Sequence, residues 1–550
     1  MPGETLHDLW WKNAVIYCLD VETFLDGNGD GIGDFKGLSE RVDYLAGIGV
    51  TCIWLMPFFP SVNRDDGYDI CDYYTVDPRL GDMGDFVDFI HTADAHGIRV
   101  IADLVMNHTS DQHPWFQSAR SDPKSPYRRF YVWRDEPPDE KPSLVFPGEQ
   151  ISNWTYDEVA KQYYFHHFYR HQPDLNPDEP AVREEMTQIM GFWLQQGLAG
   201  FRVDAVPFLI ELENENAAEE LTPHGFLKDL RRFLGRRRGD AVMLGEVNLP
   251  PHEQVTYFGE DDELSLVFNF YVNQHLYLSL VREDPDPLRK ALEALPPIPG
   301  ACQWANFVRN HDEQNLDKLT PSERQEVFDA FAPQKSMQSF GRGIRRRLPT
   351  MLGGDQRKLK LTYSLLFSLP GTPVLFYGEE IGMGDNPRLP GRLAVRSPMQ
   401  WKPRPNGGFS TARPKDLLRG LPAGEFGPAQ VNVQAQRDDA LSMLNWTESL
   451  IRRRKEAGEF GFGKYRLVDG GKARVLAHAC EWETRTVIAL HNFSSRAEVV
   501  NLSAEIDDDV IEVNDMWADQ RYPAVTKTAR IGPYGYRWLR VIKKGQELLL

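Results

Sequence analysis

The chain has 550 residues, too many for one ordinary domain and enough for a large core with appended domains. Hydrophobic residues at 41% and charged residues at 26% are globular values, which exclude wholesale disorder and fibrous repeats. A formal charge of −18 argues against a nucleic-acid polyanion as partner and favours a soluble protein that takes neutral or cationic ligands.

The five cysteines, Cys18, Cys52, Cys71, Cys302 and Cys480, are odd in number and lie mostly in apolar stretches. Free thiols in a reducing, cytoplasmic compartment are the expectation. The start, Met1 to Thr5, has no basic residue followed by an apolar run, so no secretory signal is expected. The most apolar segment, Leu361 to Tyr377, is broken by Pro370, Gly371 and Pro373 and does not read as a membrane span.

In chain order, Val15 to Leu19 reads as a buried strand and Lys36 to Leu45 as an amphipathic helix. Between them, Asp26, Asn28, Asp30 and Asp34 put four side-chain oxygens on a Gly-rich loop, which suits a hard cation such as Ca²⁺ or Mg²⁺, with the Ile32 carbonyl as a further ligand. The loop starts like an EF-hand, but position twelve is Gly37 where a bidentate Glu belongs, so that motif is rejected. The alternative is a solvated Asx-turn without metal.

A strand at Cys52 to Leu55, a helix from Gly81 to His96 and a strand from Val100 to His108 continue the alternation, which means parallel strands with crossover helices. From Thr109 to His171 the rhythm breaks into an aromatic-rich stretch without helical period, read as a loop-rich inserted subdomain. The pattern then resumes with helices at Ala181 to Gln196 and Pro223 to Arg238. Strands follow at Gly200 to Val203, Val242 to Glu246, Leu266 to Phe268, Trp304 to Arg309 and Val374 to Tyr377.

Eight strands predict an α/β fold, a closed (β/α)₈ TIM barrel formed by residues 1–108 and 172–463, with long loops after strands seven and eight. Residues 464–550 carry short alternating strands and read as an all-β sandwich domain. The run Arg342, Arg345, Arg346 and Arg347 is expected on a solvated face.

In such a barrel, polar side chains at the C-terminal strand ends converge on one pocket. Asp204, Glu246 and Asp312 sit at such ends, and three carboxyls in one mouth disfavour one another's ionisation, as a site for acid-base or nucleophilic work requires. The neighbouring histidines lack the HxxxH or HxH spacing of a metal centre. A carboxylate nucleophile and a protonated partner are what glycosyl transfer needs. An Arg-Asp pair two residues apart on a strand, as in Arg202 and Asp204, is also compatible with a plain buried ion pair.

Asp103 to His108, Gly200 to Asp204, Gly245-Glu246 and Val308 to Asp312 resemble, in order, the four signatures of glycoside hydrolase family 13, the α-amylase family. Gln172 to Asn176 and Gly371 to Glu380 resemble its accessory motifs. The resemblance implies that Asp204 is the nucleophile, held ionised and at low pKa by Arg202. Glu246 would be the acid-base with a raised pKa, and Asp312 would bind sugar hydroxyls and help distort the ring.

It also implies retention of configuration, hydrogen bonds from His108 and His311 to the first glucose, and no organic cofactor. Asp65, Tyr68 and Arg396 resemble residues that close this subsite by an Arg-carboxylate clamp, which favours small α-linked glucosides over starch. The loop from Asp26 to Asp34 matches the same members.

Three further stretches, Asn107 to Phe116, Asp204 to Pro207 and Gly382 to Asn386, are similar to family members that interconvert maltose and trehalose. That likeness suggests a second cation site at Asn107, Asp174 and Glu211, with plain loop hydrogen bonding as the alternative. Departures fall at Val247 to Pro250, Leu264 to Gln274 and Gln314 to Lys318, loops expected to face the acceptor sugar. Isomerisation, hydrolysis or transfer to another acceptor therefore stay open. A catalytically silent barrel is the remotest reading, since all three carboxyls are present. Trp115, Trp154, Tyr164 and Phe168 are candidates for stacking on sugars or for packing the insert. The sequence sets no oligomeric state, and nothing in it points to nucleic acid or membrane as partner.

Overall fold

A computed structural model describes residues 6–139, 144–209, 223–469 and 474–544. Eight parallel strands close a barrel: β1 (Ile16–Leu19), β2 (Cys52–Leu55), β3 (Arg99–Leu104), β4 (Gly200–Val203), β5 (Val242–Gly245), β6 (Leu266–Phe268), β7 (Gln303–Phe307) and β8 (Thr372–Phe376). Their order around the barrel is β1-β8-β7-β6-β5-β4-β3-β2, so each strand pairs with its sequence neighbours and β1 closes on β8 through Ile16 beside Val374. Side chains inside and helices outside cover both faces of every strand, so β1, β2, β4, β5, β6, β7 and β8 are buried at every position. This is why they appear in the sequence as largely apolar runs, interrupted by Arg202 in β4 and by Gln303 and Asn306 in β7.

Gly200 opens β4 because nothing larger fits. Its φ is +148° and a Cβ there would lie 2.2 Å from the Val242 carbonyl oxygen of the neighbouring strand.

The expected helix over Lys36 to Leu45 is two, Phe35–Ser39 and Val42–Ile48, because the chain turns at Glu40 and Arg41. The insert carries more regular structure than expected. A helix at Pro114–Ser121, capped by His113 and started by Pro114 at its first turn, precedes a three-stranded antiparallel sheet of Trp133–Arg134, Gln162–Phe165 and Trp154–Asp157.

The chain after β7 adds a small sheet of Gln314–Asn315, Gly343–Ile344 and Gln338–Ser339 above the barrel mouth. The basic run lies in this loop, and none of it is a solvated face. Arg347 is 1% exposed and donates to the main-chain oxygens of Tyr377 (2.6 Å) and Val395 (2.8 Å), while Arg342 reaches the cavity described below. Burying an arginine requires acceptors for its fixed fork of donors, and carbonyls just past the last strand and in the connection after it supply them.

Beyond the barrel, β9 (Lys464–Leu467), β10 (Val475–Trp482), β11 (Arg485–Asn492), β12 (Glu498–Asn501), β13 (Val510–Ala518), β14 (Thr528–Ile531) and β15 (Tyr536–Lys543) form two antiparallel sheets, β9-β10-β11-β15-β13 and β12-β14. The larger sheet docks on the helix Gln356–Ser368. His478 pairs through Nε2 with the Ser368 carbonyl at 2.9 Å, and His491 Nε2 lies 2.9 Å from Ser364 Oγ. The two imidazoles stack 6.0 Å apart at 3°, and both are fully buried.

All five cysteines are free, four of them buried and Cys71 half-buried. Among the described residues no helix is long and apolar enough to cross a membrane.

Candidate active site

The C-terminal strand ends open into a cavity of about 270 Å³. Its wall includes Asp65, Tyr68, His108, Asp204, Glu246 and Asp312, so six of the nine residues expected at the reaction site face one space. Arg202, His311 and Arg396 lie behind that wall and reach it through their partners.

Arg202, only 1% exposed, is the hub. One terminal nitrogen donates to Asp204 and to Asp103, both at 2.5 Å, and the other donates to Glu246 at 2.6 Å. A single planar guanidinium therefore fixes the relative position of the two carboxyls expected to do the chemistry. The indole of Trp54 supports it from below, with the guanidinium carbon 5.2 Å from the ring centre and the indole N–H donating to Asp103 at 2.8 Å.

Past Asp204 the backbone turns through Ala205 at φ +48°, which aims the Ala205 N–H at Glu246, 3.3 Å away. A non-glycine residue held in the left-handed region next to reactive groups marks a position the surroundings over-determine.

Burial pushes Glu246 up to about 7 against the pull of Arg202, with the charges of Asp204 and Asp312 adding to the rise. This is the expected direction for a group that must hold a proton. Asp204 departs from expectation. Burial raises it to about 6, the Arg202 charge opposing and Asp103 and Asp312 reinforcing, so its carboxyl is not held low. Asp312 behaves oppositely: burial raises it, but the charges of Arg392, Arg396 and Arg202 hold it well below the ordinary carboxylate range. Burial keeps His311 and His108 neutral.

The clamp differs from the expected pair. Arg396 donates to Asp66 at 2.6 Å, to Asp312 at 3.1 Å and to the His311 carbonyl at 2.8 Å, and Asp65 is not among its partners. Asp65 accepts from Gln172 at 2.8 Å, and the arginine facing it across the cavity is Arg392, which also pairs with Asp312 at 2.9 Å and Glu313 at 2.8 Å. Arg392, Asp103 and Asp66 were not singled out in the sequence. Only Asp103 carried a signal, as a lone charge inside the apolar run Ile101 to Leu104.

Tyr68 donates to or accepts from His311 Nε2 at 2.7 Å and stacks on its ring at 8°. His108 Nε2 faces the Tyr68 carbonyl at 3.1 Å. Of the four candidate stacking aromatics, Phe168 reaches the cavity. Trp115, Tyr164 and Trp154 pack within the insert, on Phe130, Phe116 and Phe165. The divergent loops do face the cavity, through Asn248, Leu249, Phe270, Asn315 and Asp317.

In the loop from Asp26 to Asp34, Asp26 accepts from the N–H groups of Gly29 (2.6 Å) and Gly31 (2.8 Å), Asp34 from Gly27, Asn28 and Gly37, Asn28 from Asp30, and Asp30 from Ile32. One oxygen of Asp34 accepts both the Gly27 and Asn28 N–H groups, and one oxygen of Asp26 accepts both the Gly31 N–H and the Ser410 hydroxyl, so the loop's own donors take up much of the capacity of these carboxylates. The side-chain donors are all oxygen, the type a hard ion takes, but among the described residues the carboxylates whose oxygens converge within 4.8 Å are Asp20, Glu22 and Asp66 rather than those of this loop. At the other suggested cation site, Asn107 donates to Asp174 at 3.0 Å and His167 N–H groups occupy both Asp174 oxygens. Glu211 lies outside the described residues.

Residues 19–461 match the family described as "Alpha amylase, catalytic domain" and residues 485–540 match "Sucrose hydrolase-like, C-terminal domain". The chain belongs to the α-amylase family, glycoside hydrolase family 13, and is an enzyme of that family, as its motifs implied. Trehalose synthase/amylase TreS of Mycolicibacterium smegmatis is 42% identical over 515 residues, covering 90% of this chain and 86% of that protein. The trehalose synthase of Thermus thermophilus is 43% identical over 539 residues. The match covers 96% of this chain but 55% of the relative, so the chain spans about half the length of that protein. Among solved structures, the trehalulose synthase MutB from Pseudomonas mesoacidophila MX-45 superposes with a TM-score of 0.79 at 26% identity, covering 98% of this chain and 100% of that one.

Proposed function

We propose that this chain is a retaining α-glucosyl-transferring enzyme that interconverts maltose and trehalose, with some hydrolysis. One observation carries the reading: Arg202 holds Asp204 and Glu246 side by side on the wall of a cavity that Asp65, Asp312 and Arg392 also line, with Arg392 paired to Asp312 at 2.9 Å. A pocket lined by such an Arg-carboxylate pair suits one terminal glucose better than a polymer passing through.

The Asp204 carboxylate attacks the anomeric carbon while Glu246 gives its proton to the departing glycosidic oxygen. A covalent β-glucosyl-enzyme and a free glucose result. Direct attack and retention require the two carboxyls to lie roughly 5–5.5 Å apart. The released glucose turns, Glu246 takes the proton of its anomeric hydroxyl, and that oxygen attacks the glucosyl carbon and frees Asp204. Asp312, ionised, binds hydroxyls of the glucosyl ring as it flattens.

Rejoining the same two sugars requires that water stay out and glucose stay in. A roof formed by three loops supports this. Phe146 from the insert lies 4.7 Å from Phe340 of the loop after β7, and the Arg392 guanidinium sits 5.0 and 5.5 Å from the two rings. Phe340 is held at φ +53°, a conformation that bulky side chains seldom adopt. Incubation with maltose followed by NMR tests the reading: trehalose with little free glucose is expected, and stoichiometric glucose release with no trehalose overturns it.

We further propose that Asp26, Asn28, Asp30, Asp34 and the Ile32 carbonyl hold a structural Ca²⁺ or Mg²⁺, on the strength of the all-oxygen donor set. Millimolar Ca²⁺ is expected to raise the melting temperature of the wild type and not of Asp30→Ala. A cytoplasmic location is proposed from the five unpaired cysteines.

A further inference from the structure

Behind the cavity wall, charges alternate in sign along a chain of ion pairs that runs from Asp312 to Arg79. Asp312 receives Arg396 at 3.1 Å, Arg396 gives its other terminal nitrogen to Asp66 at 2.6 Å, and the second oxygen of Asp66 receives Arg419. Arg419 in turn donates to Asp20 at 3.0 Å and Glu22 at 2.9 Å, and to the main-chain oxygen of Arg396 at 3.2 Å. Arg79 closes the outer end on Glu22 at 2.8 Å. The side chains of Arg396, Asp66, Arg419, Asp20 and Glu22 are each no more than 8% exposed.

Oxygens of Asp20, Glu22 and Asp66 lie within 4.8 Å of one another, and Arg419 is the cation that makes this tolerable. Three buried carboxylates without it would repel or take up protons. Asp66 is also the residue whose backbone is forced into the left-handed region, at φ +54°. It keeps that conformation while gripped by two arginines that come from one long connection after β8.

We propose that Asp66 and Arg419 are positioning residues that hold Arg396, and through it Asp312, in register with the glucosyl ring. Neither touches the cavity. Arg396 is pulled from both ends, by Asp312 and the His311 carbonyl on one side and by Asp66 on the other. Its own main-chain oxygen is tied to Arg419. Remove Asp66 and the guanidinium keeps its inner partners but loses the anchor that fixes their distance. Asp312 then binds hydroxyls out of place in the transition state, where its interactions strengthen most. The loss therefore falls on kcat more than on KM.

The proposal rests on the glucosyl chemistry assigned above but not on which acceptor takes the sugar. The test accordingly uses an aryl α-glucoside alongside maltose, on the full chain. Asp66→Asn keeps the side-chain volume and tolerates the left-handed backbone. It is expected to lower kcat on the aryl glucoside by about 100-fold with KM changed less than about threefold and the melting temperature within a few degrees. Arg419→Met is expected to lose as much, Arg419→Lys to recover part of it, and the double variant to be no worse than the poorer single by more than about threefold, because both act through one link.

Wild-type kcat in a folded Asp66→Asn overturns the proposal, as do losses that multiply in the double variant. If Arg419→Met does not fold, Asp66→Asn decides alone. A wild type that makes only glucose from maltose sinks the isomerase reading and leaves this one standing, because aryl-glucoside turnover is blind to the acceptor.

Discussion

The barrel mouth and the seam under the C-terminal sheet both bury polar side chains, with opposite consequences. At the mouth, Asp103, Asp204 and Glu246 crowd on Arg202, and burial pushes them up to about 6, 6 and 7. A raised carboxyl keeps its proton in the fold after the unfolded chain has lost it, so that part of the stability is present at low pH and lost as pH rises from about 4 toward 7.

In the seam, His478 and His491 are stacked and neutral, lowered by burial, His478 to about 4. There the unfolded chain takes up the proton first, so stability present above about 6.5 is lost as pH falls toward 4. Neutral rings bonded to a hydroxyl and a carbonyl are enough when only docking is at stake. Crowded carboxyls that work against the fold mark the place where chemistry is done.

The sharpest way to break this contrast is Asp204→Asn. Activity is expected to fall by about 10⁴-fold or more with the fold intact by circular dichroism. Surviving turnover would move the nucleophile elsewhere. Next comes the pH profile of kcat/KM for maltose. Asp204 must be ionised and Glu246 protonated, so activity is expected to peak between about 6 and 7, falling tenfold per unit on each side. A plateau reaching pH 9 would contradict the assignment of Glu246.

A smaller effect is expected at the roof, where Phe340→Ala should raise glucose release relative to trehalose by a few fold without abolishing cleavage, as measured by product NMR. Smallest is the seam: chemical denaturation should show the chain losing up to about 1.4 kcal/mol per pH unit for each histidine below pH 6.5, and His478→Gln should flatten that slope while leaving kcat unchanged.

Much of the barrel was legible because strands covered on both faces are largely apolar, so a carboxyl at the end of such a run stands out. Asp204, Glu246 and Asp312 were found that way. The clamp was not, because Asp65 and Asp66 are neighbours of one type and only the backbone turn at Asp66 decides which of them meets Arg396. Arg392 and Arg419 sit in a long aperiodic connection, and nothing local tells which charges they will meet across 79 to 399 residues of chain. The run from Arg342 to Arg347 misled for a related reason. Buried arginine is rare unless its donors are met, and the acceptors here are main-chain oxygens, which leave no mark in a sequence. The helix Pro114–Ser121 had a cap and a leading proline but is too short for a period to show.

The left-handed turn at Ala205 bears on how this enzyme can be remodelled. A β-branched residue at φ +48° is disfavoured, and the N–H there must keep pointing at Glu246, so a saturation library at position 205 should return mostly glycine, alanine and asparagine. Directed evolution for new acceptors is thereby steered away from the position next to the nucleophile and toward Asn248, Phe270 and Asp317, whose side chains line the same space without a backbone constraint of that kind.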